Sequence, residues 1–115
     1  MANIDVKSVR NVENSVRDVK NWLAVFKTEY KLADEAVKVL NQKIEELGAK
    51  VGGIKCDVSG KVDAGSVKPV SNVLRDAKAW LATFAKEYDL PAEAVKVLHQ
   101  NFDKIGTALA AVDCK

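Results

Sequence analysis

Trp22-Leu23-Ala24-Val25-Phe26-Lys27-Thr28-Glu29-Tyr30 returns as Trp80-Leu81-Ala82-Thr83-Phe84-Ala85-Lys86-Glu87-Tyr88, an offset of 58 positions. The same offset carries Glu35-Ala36-Val37-Lys38-Val39-Leu40 onto Glu93-Ala94-Val95-Lys96-Val97-Leu98, Arg17-Asp18 onto Arg75-Asp76, and Cys56 onto Cys114. The chain is one unit written twice, residues 1–57 and 58–115. Repeats of this length are supersecondary units that bury their apolar faces on one another.

Within each unit the apolar residues step by three and four. Val9, Val12, Val16, Val19, Leu23, Phe26 and Tyr30 form one stripe, matched by Val67, Val70, Leu74, Ala77, Leu81, Phe84 and Tyr88. A second stripe runs Ala33, Val37, Leu40, Ile44, Leu47, Val51, Ile54, matched by Pro91, Val95, Leu98, Phe102, Ile105, Leu109, Val112. This spacing lays each set along one side of a helix, which predicts four amphipathic helices.

Only about two residues separate the stripes inside a unit, so each pair must be an antiparallel hairpin. Pro91 suits the first turn of the fourth helix, where its missing N–H costs nothing, and the acids Asp34, Glu35 and Glu93 suit helix starts. Glu35 and Glu93 are also spaced to pair with Lys38 and Lys96. Asp5 and Ser8, with their counterparts Asp63 and Ser66, are candidate N-caps. The glycine-rich stretch from Gly52 to Gly65 reads as the linker between the units. Helices of about 22 to 26 residues are about 33 to 39 Å long. A polar linker of about a dozen residues could span that only when fully extended, so it is expected to turn back at its own end. The expected fold is all-α: a single domain, residues 1–115, forming an up-down-up-down four-helix bundle.

Composition narrows the function classes. With 115 residues, 48% apolar and 30% charged, the chain can build one modest core; two separate domains would each be marginal. A net charge of +2 with interleaved signs argues against nucleic acid as a partner. No apolar run reaches the roughly 20 residues of a membrane span, and Met1-Ala2-Asn3-Ile4-Asp5 lacks the pattern of a signal peptide. A soluble chain is expected.

Cys56 and Cys114 should be neighbours in this topology and are expected to form a disulfide, which would favour an oxidising or secreted compartment. They do not form a Cys-x-x-Cys redox motif, and two thiolates leave a zinc site short of ligands. His99 is the single histidine and reads as a half-exposed polar residue. Glu29, Glu35, Glu87 and Glu93 flank the hairpin tips, but helix starts and ordinary solvated faces account for them. No catalytic set is legible, and no cofactor is expected.

Trp22 and Trp80 stand beside the core stripe, below Tyr30 and Tyr88. They either widen the buried face for hairpin-on-hairpin packing or line a contact site near the tips. Val25, Val39 and Val97 also fall off the stripes and add apolar surface that thickens the core or meets a second chain. The sequence therefore reads as a non-enzymatic binding, scaffold or structural module acting by surface contact, with another protein as partner, monomeric or homodimeric. One alternative is a carrier of a fatty-acid-like apolar molecule held between the hairpins; another is an assembly protein whose hairpins exchange between chains.

Overall fold

The computed structural model describes residues 3–114, so Met1 and Ala2, part of the segment read above for a leader, lie outside it. Four helices follow one another: α1 (Val6–Tyr30), α2 (Asp34–Val51), α3 (Ala64–Glu87) and α4 (Ala92–Ala110). α1 packs on α2 and α4, and α3 packs on the same two, so sequential neighbours close into a square and α1 lies diagonal to α3. The bundle measures 50 × 21 × 20 Å.

Each helix begins and ends for a local reason. Asp5 caps α1 by accepting from Lys7 N–H, and Asp63 caps α3 by accepting from Gly65 N–H. Ser8 and Ser66 are not the caps that the sequence suggested; their hydroxyls sit one turn inside and bond to the Asp5 and Asp63 carbonyls. Pro91 lies one residue earlier than expected, as the extended N-cap of α4. At both tips the chain turns through a left-handed residue, Lys31 (φ 51°) and its counterpart Asp89 (φ 57°). The N–H groups of Leu32 and Leu90 then reach back to the carbonyls of Lys27 and Ala85, which satisfies carbonyls left open at the helix end.

The stripes fill the interior. Val12, Val16, Val19, Leu23 and Phe26 of α1 meet Leu40, Ile44, Leu47 and Val51 of α2, and the second hairpin buries the corresponding set except Leu74, the counterpart of Val16, which is half-buried. Ile54 and Val112 lie beyond the ends of α2 and α4 yet remain buried, so the apolar pattern outlasts the helices and closes the end of the core. Ala33 and Pro91, by contrast, are exposed, and Ala36 and Ala94 are fully buried in their place. Burying an alanine lets the helices approach closely. Gly48 and Gly106 do the same inside each hairpin: a Cβ on Gly48 would stand 3.2 Å from Val16, and one on Gly106 3.2 Å from Leu74. Ion pairs tie the helices of each hairpin at matching positions, Lys20 to Glu45 at 3.1 Å and Lys78 to Asp103, while Lys27 pairs with Asp34 across the first tip.

The linker turns back, as its polarity requires. Asp57 Oδ1 accepts from the backbone of Ser59 and Lys61 and from the Ser59 hydroxyl, while Gly60 supplies a φ of 86°. Both tips therefore share one end of the bundle, and the linker and chain ends share the other. Among the described residues, no helix is long and apolar enough to cross a membrane.

Candidate functional site

The linker end is held by reciprocal bonds. Ser8 Oγ accepts from Asp113 N–H at 3.1 Å, and Ser66 Oγ accepts from Lys55 N–H at 3.0 Å. Asp5 N–H donates to the Asp113 carbonyl at 2.9 Å, as Asp63 N–H does to Lys55 at 2.8 Å. The entrance of each hairpin is thus bonded to the exit of the other. Cys56 and Cys114 form a disulfide with Cα atoms 6.1 Å apart. The two cysteines occupy matching positions of the sequence, 58 residues apart, so the bridge joins equivalent points of the two hairpin exits. The role of this end is covalent and structural: it fixes the two exits against each other.

At the opposite end each hairpin carries a ladder of rings. Trp22, Phe26 and Tyr30 stack with centroids 4.8 and 5.1 Å apart, and Trp80, Phe84 and Tyr88 with centroids 4.8 and 5.0 Å apart. The phenylalanines are fully buried, while the tryptophans and tyrosines are half-buried. Lys43 of α2 lies over the Trp80 ring at 5.1 Å, so this tryptophan is packed at the seam between hairpins. Burial pushes the Tyr30 hydroxyl upward from its ordinary pKa, helped by the negative charges of Glu93 and Glu29. Tyr88 is raised in the same way, by burial first and then by Glu35 and Glu87. The tip acids therefore stand around the tyrosines. Among the described residues, no group of three or more His, Cys, Asp or Glu is placed to hold a metal.

The off-stripe valines separate. Val25 is 58% exposed, and beside it Ala24, Thr28 and Glu29 line an open surface hollow. Val39 and Val97 are half-buried on α2 and α4, as is His99. Tyr30 and Tyr88 share the tip end with Trp22 and Trp80, whereas Val25 faces solvent; the aromatic and valine positions do not converge on one pocket.

The site that sequence reading missed is a groove of about 370 Å³ between α3 and α4, with Val67, Leu74, Gly106 and Leu109 among its lining and Ser71, Arg75 and Lys78 on its rim. Its counterpart on the first hairpin, about 330 Å³, is lined by Glu13, Val16, Arg17, Lys20, Asn21 and Gly48. The signal was in the sequence, in the places where the repeats differ. Ser71 replaces Glu13, Leu74 replaces Val16 and Ala110 replaces Gly52, each change making the second groove less polar or more apolar. A third groove nearer the first tip mixes Leu23, Ala24 and Val37 with Lys20, Lys27, Asp34 and Lys38, so its lining carries both charge signs. No family model matches this chain, and the comparisons with curated proteins and with solved structures return no match.

Proposed function

We propose that this protein is a non-enzymatic binding module that works through grooves and helix faces on its outer surface. One observation carries this reading. The bulky residues along the bundle axis, Phe26, Phe84, Phe102, Leu40, Leu98 and Ile105, are all below 2% exposed, while the grooves between neighbouring helices open to solvent. Side chains so fully shielded leave a carried molecule little space among them, whereas open grooves present apolar area to a partner without unfolding anything. Asp5 and Asp63 serve as helix caps, and Lys20, Glu45, Lys78 and Asp103 are taken up in interhelical ion pairs, which suits a scaffold better than a reacting centre.

A fragment-library titration of isotope-labelled protein, followed by amide NMR shifts, tests this. Shifts confined to groove and surface residues are expected. Shifts centred on Leu40, Leu98 and Ile105 would mean an interior site and would replace this reading with carriage between the hairpins.

Hairpin exchange between chains is favoured by a separate observation, the reciprocal bonding of each entrance to the other hairpin's exit. The same bonds would form between two chains that traded hairpins. Sedimentation after refolding at high concentration would show a lasting dimer if exchange occurs and a monomer if it does not.

A further inference from the structure

We propose that the α3–α4 groove binds a small amphipathic acid, its apolar chain along Val67, Leu74, Gly106 and Leu109 and its carboxylate against Arg75; this rests on the reading that binding takes place in the outer grooves. The size is that of a small-molecule site, about 370 Å³, within the usual range for such pockets. The floor is aliphatic, and Gly106 leaves it open: a Cβ there would stand 3.2 Å from the Leu74 side chain, tighter than ordinary contact.

Charge decides the head group. Arg75 is 72% exposed and, among the described residues, engages only its neighbour Asp76, at a long 3.6 Å. A guanidinium presents five N–H donors in a planar fork that matches a carboxylate. Lys78, on the same rim, is paired with Asp103, which balances most of its charge and leaves Arg75 as the anion's partner.

The first hairpin is an internal control. Its groove has nearly the same size and keeps both basic residues as Arg17 and Lys20, yet it carries Glu13 where the second has Ser71. A carboxylate at that position competes for the arginine and repels an incoming anion. The two grooves occupy matching positions, and the second has an apolar floor and no carboxylate among its lining residues, although Asp76 and Asp103 stand beside its basic groups.

Dodecanoate, kept below its micelle concentration, is the probe, titrated into the intact disulfide-bonded protein and followed by amide NMR. Saturable shifts at Val67, Ser71, Leu74, Gly106 and Leu109 are expected, with the Arg17 groove unaffected. Dodecanol should bind the same residues about two- to fivefold more weakly, since it keeps the chain and loses the charge. Ser71→Glu, an exposed substitution, should weaken dodecanoate by about two- to fivefold and leave dodecanol unchanged; Arg75→Gln should do the same by removing the anion's partner. Equal affinity of dodecanoate for the wild type and both variants would overturn the proposal. An absence of groove shifts would also overturn it while leaving the wider surface-binding reading to the fragment titration, and shifts on Leu40 and Leu98 would overturn both.

Discussion

Ser8 and Asp113 are 105 residues apart in sequence and 3.1 Å apart in space, with the Ser8 hydroxyl accepting from the Asp113 N–H while donating to the Asp5 carbonyl. Ser8 is 7% exposed and its bond with Asp113 is part-buried, so removing its oxygen takes a partner from the Asp113 N–H on its sheltered side. Ser8→Ala is expected to cost about 1 to 3 kcal/mol. Ser66→Ala, at the half-buried counterpart, should cost less. Urea unfolding of the two variants measures the difference, and equal losses would mean that burial at Ser8 adds nothing.

The Cys56–Cys114 bridge closes a loop of 58 residues. By the chain-entropy account this contributes about 4 kcal/mol, a large share of the stability of a small domain. Reduction should therefore lower the urea midpoint strongly while helicity at zero denaturant persists. Alkylation of unreduced, denatured protein should label neither thiol.

Core and surface substitutions should separate sharply. Leu40 and Leu98 are buried at matching positions, and either changed to alanine should lose about 2 to 5 kcal/mol. Val25→Lys, at an exposed position, should change stability by no more than about 0.5 kcal/mol. A large loss in the Val25 variant would place that residue in an interface.

The tip tyrosines should titrate late. Their hydroxyls are raised above the ordinary 10.0 by burial and by nearby acids, so the folded state holds the phenolic proton more tightly than the unfolded chain does. The resulting stabilisation is fully present below about pH 10 and is lost as pH rises through the folded-state values. Ultraviolet titration should show both tyrosines ionising above the free value in folded protein. Glu93→Gln should lower Tyr30, and Glu35→Gln should lower Tyr88.

Lys31 holds a left-handed φ of 51° at the first tip, a conformation that a non-glycine residue adopts at a cost of about 1 to 2 kcal/mol. Lys31→Gly should raise the melting temperature. Asp89→Gly should raise it less, because aspartate tolerates this region better than lysine.

The helices were legible in the sequence because their periodicity depends on local spacing alone: a stripe such as Val12-Val16-Val19-Leu23-Phe26 has one side whichever partner covers it. The hairpins followed from short tips, and the returning linker and the disulfide from a length argument and from repeat symmetry. Other features needed the tertiary structure. Ser8 and Ser66 carry the same local signal as a cap, and only the arrival of Asp113 and Lys55 decides that they join the hairpins instead. Ala36 and Ala94 displace the neighbouring Val37 and Val95 from the deepest positions because helix separation, a property of two helices together, sets which side chain fits. The α3–α4 groove is decided in the same way. Ser71, Arg75, Gly106 and Leu109 lie on two helices, and no spacing along one helix shows that they meet.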